Sequence, residues 1–410
     1  MSQSGGLSRR RFLIGAGTVA AAGIAAGVAV DARKAGGAPV PHVKLPAPEA
    51  GLPLRQHAWN QVLKTDQFGN ATPPRFDRLL LFDVRGTPTP GYVRLLEASL
   101  RQLEHEYPWG PDGLLFTVSW SPDYFERVLH IPSPLPKAKP LANFEQPTID
   151  SYHLCLHLAC DDDQRLQTVE RQLRLKLVFV LRWRETRTGF AGAGLPAAHQ
   201  RVGGIPSGNP VTKTAPLFMG FKSALKKNQA TEDAVTISGG PFDQGTTMAV
   251  SHMRLDLQEW YSDLSYRQRV ALMYSPQTTP AQVERFTTDA ESNPGQLNQA
   301  MRNYGVIGHA QASARARVNG KPVILRRDFD TVDGGLAGLH FVALQRSIAD
   351  FIATRTAMNQ ANAQLVNPGI TDTANNGINA FIFVLRRANY MMPSRGDRSF
   401  PLLPGRESAL

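Results

Sequence analysis

Residues 152–186 read YHLCLHLACDDDQRLQTVERQLRLKLVFVLRWRET, and the period of the apolar positions changes twice within them. YHLCLHLAC (152–160) alternates, the period of a strand with one face inward. DDDQRLQTVERQL (161–173) opens on acidic residues, which suit a helix N-terminus, and continues as a helix. LKLVFVLRWRET (175–186) predicts a second strand. Working toward the N-terminus, LLFTVSW (114–120) predicts a strand, and Gly91 to Tyr107 places Val93, Leu95, Leu96, Leu100 and Leu103 at helical spacing. RLLLFDV (78–84), left through the turn-rich GTPTPG, predicts the first strand. The order strand, helix, strand, strand, helix, strand is the ferredoxin-like arrangement.

The same order returns downstream. MAVSHMRLDL (248–257) predicts a strand, followed by helical LQEWYSDLSYRQRVALM. PVILRRDF (322–329) and LAGLHFVALQ (336–345) predict strands, RSIADFIATRTAMN a helix, and INAFIFVLR (378–386) the closing strand. The expected fold class is therefore α+β, with two ferredoxin-like units, each an antiparallel sheet with helices on one side. The units are bounded at 76–215 and 216–410, the Gly- and Pro-rich stretch 189–220 joining them. Residues 33–75, rich in Pro, Gly and Ala, predict a linker or an arm on the surface.

The chain has 410 residues, 42% hydrophobic and 19% charged, enough for a packed core. The formal charge is +11, part of it from Arg9, Arg10, Arg11, Arg33 and Lys34. No dense basic block with interleaved aromatics occurs, so a nucleic-acid partner is not expected. The two cysteines, Cys155 and Cys160, lie five apart; on one strand they would be separated by about 16 Å, too far for a disulfide. Two buried thiols are expected.

Residues 8–14, SRRRFLI, place a twin arginine before a weakly hydrophobic Ala/Gly-rich segment, Leu13 to Val30. This matches a twin-arginine export signal, with cleavage after Ala32. The expected signal peptide is 1–32, the expected partner the twin-arginine export machinery, and the destination the periplasm, cell envelope or extracellular space. An uncleaved anchor is the alternative, although 18 residues rich in Gly and Ala make a poor span. Because this route carries folded proteins, it favours a cofactor inserted before export.

Candidate chemistry concentrates in GVIGHAQASARARVNGKPVILRRDFDTVDGGLAGLHFVALQR (305–346). His309 sits in a short loop-like setting; a neutral imidazole can bind a metal. Arg326 and Arg327 end an apolar run, and a buried guanidinium can polarise a bound oxygen species. In a strand the two arginines point to opposite faces, so only one can enter a pocket. His252 and His340 are rival ligands. His153, Cys155 and His157 share one strand face and could supply part of a metal site. No CxxCH occurs, so a haem would be held without covalent attachment.

In this order and spacing the chain resembles the dye-decolourising (DyP-type) haem peroxidases. The resemblance is carried by LLLFDV, SPDYFERVL (121–129), LCLHLACDDDQ (154–164), GFKSA (220–224) and QGTTMAVSHMRLDLQEWYSDLSYRQR (244–269). Downstream it continues through His309, ILRR (324–327), DGGLAGLHFVALQR (333–346), FIFVL and LLPG (402–405). It implies a dimeric α+β barrel of two ferredoxin-like units holding haem b, with hydrogen peroxide and an organic electron donor as partners. His309 would be the proximal ligand to the haem iron and Arg326 the distal cation. Gly220, Thr246, Gln311 and Arg315 fall at cofactor-contact positions. Trp183, Trp260 and Tyr304 are candidate exits for electrons.

The departures from the family pattern are specific. Its distal Asp falls at Ser223, whose hydroxyl holds its proton too tightly to act as a base at neutral pH. Its next Gly falls at Ala224. An Arg that contacts a propionate falls at Gln311, and an arginine pair at Ser251 and His252. Arg315 or Arg254 remains for one propionate. The implied function is an exported haem b protein with weak peroxide-dependent oxidation of an organic donor. The alternatives are a non-enzymatic haem-binding or iron-handling envelope protein and a relative without haem. A homo-oligomer is left open.

Overall fold

The computed structural model describes residues 44–223, 225–284, 296–360 and 362–410. The expected signal peptide, residues 33–43 and Ala224 lie outside the described residues. Ten strands form one continuous sheet: β1 (Phe76–Val84), β2 (Leu115–Trp120), β3 (Thr148–Ile149), β4 (Leu154–Cys160), β5 (Leu181–Phe190), β6 (Thr246–Leu255), β7 (Leu325–Arg326), β8 (Phe329–Thr331), β9 (Gly338–Gln345) and β10 (Ile382–Met392). The order is β2-β4-β1-β5-β8-β9-β6-β10-β3, and β2 also pairs with β10. Each half, β2-β4-β1-β5 and β8-β9-β6-β10, has the strand order of a ferredoxin-like unit. The edge of each half pairs with the edge of the other, through Phe190↔Asp330 and Met391↔Trp120. The sheet thereby closes into a barrel, which removes its exposed edges.

Strand alternation divides the apolar side chains between two layers. On β1, Leu80 and Phe82 join the core shared with α1 (Pro90–Glu106) and α2 (Asp163–Lys176), while Leu79 and Leu81 face the barrel interior with Val250, Phe329 and Val342. Asp162 caps α2, accepting from the backbone N–H groups of Gln164 and Arg165, as the acidic opening implied.

Several elements depart from their expected bounds: the helix expected from LQEWYSDLSYRQRVALM is two, Leu257–Ser262 and Tyr266–Met273, and the strand expected at 248–257 is Thr246–Leu255. The stretch 175–180 is not strand: α2 runs to Lys176 and β5 starts at Leu181. Leu166, Val169, Leu173, Leu177 and Val180 are all buried at steps of three and four, so the apolar run continues the helical stripe. The expected strand 322–329 is two short strands, β7 and β8. The closing strand starts later and runs to Met392: in its second half Ala388, Tyr390 and Met392 are buried on one face, while Arg387 and Asn389 on the other face break the apolar run. The arm 44–75 is more than surface. Gln56 and Trp59 are buried, and the Gln56 amide pairs with both backbone groups of Val118 on β2, at 2.8 and 3.1 Å. Among the described residues no helix is long and apolar enough to cross a membrane.

Cys155 and Cys160 are buried free thiols. Burial pushes them up, to about 12 and about 11, so neither is a thiolate at neutral pH.

Candidate functional site

A cavity of ≈ 200 Å³ opens between β6, β9 and β10 of the second unit, the loop 217–228 and the helix His309–Ala314. Its walls are mostly apolar, with Met219, Leu225, Met253, Phe341 and Ile382 among them. His309 and Arg326 both line it.

His309 is the first residue of its helix. Gly308 precedes it, and the Gln311 side chain returns to accept from the Gly308 N–H at 3.2 Å. The chain is clamped here: a Cβ on Gly308 would lie 1.8 Å from the Tyr274 carbonyl oxygen, and one on Gly377 2.9 Å from the His309 Cα. Among the described residues no hydrogen bond engages the imidazole; burial, then Arg326 and Arg355, push its pKa down to about 3. The ring is therefore neutral at physiological pH and presents a free nitrogen lone pair.

Arg326 is held by the loop from below. Its guanidinium donates to the carbonyls of Ser223 (2.5 Å) and Asn228 (3.4 Å) and to the Gln229 Oε1 (3.3 Å). The loop is itself pinned. The Trp260 Nε1 donates to the Met219 carbonyl at 3.0 Å, the Tyr261 hydroxyl to the Phe218 carbonyl at 2.5 Å, and Phe218 N–H to Asp330 at 2.6 Å. Arg327 points the other way, as strand geometry requires. It packs over Trp59, with its guanidinium 3.1 Å from Glu232 and 3.0 Å from Asn60.

Ser223 also lines the cavity, and its hydroxyl donates to the Asp328 carboxylate. The other four sequence candidates lie outside the cavity lining. Gln311 is fully buried and caps the helix. Arg315 is exposed and donates to Gln360 at 2.9 Å. Gly220 takes φ +87, the left-handed turn that sends the loop back toward the cavity. Thr246 is fully buried and donates to the Val235 carbonyl at 2.8 Å. These four positions support the site's frame.

The rival histidines are also accounted for. His252 and His340 pair across β6 and β9 with rings 4.5 Å apart, and His340 lies 3.1 Å from Asp333. His157 bonds Asp77 at 2.8 Å, and the His153 Nδ1 accepts from Val84 N–H at 3.0 Å. Among the described residues no group of three or more His, Cys, Asp or Glu is arranged to hold a metal ion. Trp260 is core, while Trp183 and Tyr304 are exposed.

Sequence reasoning missed Asp328, Asp330, Tyr274, Arg355 and Arg387, all in the lining. Period two was the available signal for the first pair: with Arg326 facing the cavity, 328 and 330 must face it too. Arg387 is β10's partner of Ser251 and donates to its hydroxyl at 2.9 Å. A cation thus reaches this spot from the neighbouring strand. Arg355, in the helix Ile348–Asn359, meets buried Glu145 at 3.1 Å but leaves its Nη2 buried without a partner.

A profile described as "Family of unknown function (DUF7405)" matches residues 74–394. The chain belongs to this family. The fold of this DUF7405 protein is that of DyP-type peroxidases. A putative DyP-type peroxidase from Shewanella oneidensis shares 15% identity, covers 80% of this chain and 94% of its own, and superposes with a TM-score of 0.53. The encapsulated DyP-type peroxidase from Mycobacterium smegmatis gives 14%, 81%, 96% and 0.54. A DypB variant from Rhodococcus jostii in complex with heme gives 14%, 80%, 96% and 0.55. No curated protein sequence matches the DUF7405 chain.

Proposed function

We propose that the cavity binds haem b, with His309 as the iron ligand and Arg326 as the cation of the same pocket, and that the protein oxidises an organic donor with hydrogen peroxide. It would be a divergent DyP-type member. One observation carries the reading: a neutral imidazole free of hydrogen bonds among the described residues and a cradled guanidinium line a single, mostly apolar cavity. The remaining lining fits the group. The apolar walls suit a macrocycle, and the unpartnered Arg355 Nη2 suits a propionate carboxylate.

Haem, when bound, supplies the electrons for cleavage of the peroxide O–O bond. The protein's own contribution is positional and electrostatic. Gly308 and Gly377 fix where His309 can stand. The loop carbonyls hold Arg326 in one orientation, so its charge is preorganised for the oxygen that turns anionic as the bond breaks.

Haem titration of the folded protein tests the reading. A Soret band that saturates at one haem per chain is expected in the wild type and is lost in His309→Ala. Its absence from well-folded wild type refutes haem binding. If the band forms but peroxide leaves the spectrum unchanged, the protein carries haem without turning over peroxide, the reading that the exchange of Asp for Ser223 favours. Residues 1–32 are proposed to direct export of the folded protein by the twin-arginine route. Replacing Arg9, Arg10 and Arg11 by Lys should retain it in the cytoplasm; undiminished export would exclude that route.

A further inference from the structure

Residues 326, 328 and 330 alternate onto the cavity face, so two carboxyl groups accompany Arg326. They are held differently. Asp330 is fully buried, and its Oδ2 accepts from the Phe218 N–H at 2.6 Å. Burial, with Asp328 beside it, raises its pKa well above the carboxylate range. It is a carboxyl tied to the loop.

Asp328 accepts the Ser223 hydroxyl on Oδ2, while Oδ1 is buried without a partner. Burial raises its pKa; Arg326, the Ser223 hydroxyl and Arg327 pull against that rise. Asp330 likewise leaves its Oδ1 buried without a partner, but Arg326 and Arg327 act on Asp328 and, among the described residues, no cation does so on Asp330; Asp77 is committed to His157, Glu232 to Arg327, and Glu145 to Arg355 and Arg387. One oxygen anchored and one free, on a carboxyl beside a cation and a second buried carboxyl, is the arrangement of a group that moves a proton. The titratable and charged neighbours are Arg326, Arg327, Asp330 and Asp77, with Tyr274 and His309 on the same cavity wall.

We propose that Asp328, oriented by Ser223, is the proton-transfer residue of this cavity. The assignment rests on the haem reading. The O–H bond of an entering hydrogen peroxide breaks and an O–H bond forms at Asp328 Oδ1. As the O–O bond cleaves, with both electrons from the haem, that proton passes to the departing oxygen, which leaves as water. The carboxyl absent at position 223 is thereby supplied from the adjacent strand segment, and Ser223 becomes its positioning residue.

Hydrogen cyanide probes this role without turnover, since it must lose its proton to bind ferric haem as cyanide. With haem-loaded protein, Asp328→Asn should slow cyanide association by about 10²-fold, the scale of general-base catalysis, while haem affinity holds. Ser223→Ala should slow it by about 3- to 10-fold, and Ser223→Thr, which keeps the hydroxyl, should restore it. Asp330→Asn keeps an oxygen to accept from the Phe218 N–H and should change the rate by less than about threefold. Wild-type rates in Asp328→Asn, or the main loss in Asp330→Asn, overturn the assignment. If Asp328→Asn fails to fold, Ser223→Ala without effect overturns it equally. Infrared difference spectra of haem-free protein separate the two failures. A carboxyl band that titrates above the ordinary carboxylate range and disappears in Asp328→Asn upholds the proton-transfer group even where haem does not bind. Absence of that band refutes it regardless of haem.

Discussion

Gly308→Ala should dislodge His309 at a cost that the structure sets. The backbone at Gly308 has φ −81 and ψ 140, which any residue adopts, so no conformational penalty attaches to alanine there. The penalty is contact alone. The added Cβ would stand 1.8 Å from the Tyr274 carbonyl oxygen, 2.2 Å from its carbon and 2.7 Å from the Ser275 nitrogen. All three are backbone atoms, so no rotamer change relieves them. Reaching even a 3.0 Å contact requires a shift of roughly 1.2 Å between two chain segments. Overpacking of this kind costs about 1–3 kcal/mol, and more where the backbone must yield; we expect about 3 kcal/mol in urea unfolding. The shift falls on the residue before His309, so haem affinity should drop by at least about tenfold, the equivalent of 1.4 kcal/mol. Paired denaturation and haem titrations measure both. A loss under about 0.5 kcal/mol with unchanged haem affinity would refute the claim that this backbone approach holds the ligand in place.

Four further outcomes follow from the same contacts. Gly377→Ala combines a φ of +57 with a 2.9 Å approach to the His309 Cα; it should weaken haem binding as Gly308→Ala does, read by the same titration. Arg326→Leu should keep the Soret band yet slow the peroxide reaction by about 10²-fold, the loss seen when one preorganised charge donor is removed, by stopped-flow absorbance. Glu232→Ala strands the buried Arg327 guanidinium and should cost about 3 kcal/mol, read by chemical unfolding. For Asp330, the folded pKa lies above the unfolded value near 3.8. Its contribution is fully present below about pH 4 and is lost as pH rises toward the folded pKa. Asp330→Asn, which has no charge to suppress, should therefore gain on wild type between pH 4 and 8; a difference that stays flat with pH counts against a raised pKa.

Most of the architecture was legible from periodicity. The strand in YHLCLHLAC and the helical stripe after Asp162 both occur as expected; the strand is buried on both faces, between the helix layer and the barrel interior, whereas the helix buries one stripe. The reading failed where burial imitates another period. Leu177 and Val180 extend the stripe of α2 but look like the start of a strand, and the second half of β10 buries Arg387 and Asn389 on the face opposite Ala388, Tyr390 and Met392. At the site, His309, Arg326 and Ser223 were identified from the sequence and line one cavity. Gln311, Arg315, Gly220 and Thr246 were chosen by position along the chain, and the tertiary contacts assign them to capping, to a surface bond, to a turn and to strand pairing.

The sequence by itself determined the α+β class, the two ferredoxin-like halves and the opposite faces of Arg326 and Arg327, since these depend on local period and on strand geometry. Only the tertiary structure decided which charges meet in the cavity. Asp328 reaches Ser223 across 105 positions of chain, Arg387 reaches Ser251 across 136, and Arg355 reaches Glu145 across 210. A comparison made position by position sees Ser223 as a lost acid and Ser251 as a lost base. Packing within the second half brings a base to Ser251 from the paired strand and an acid to Ser223 from the segment between β7 and β8, because a cavity is sensitive to where charge stands in space and not to which segment carries it.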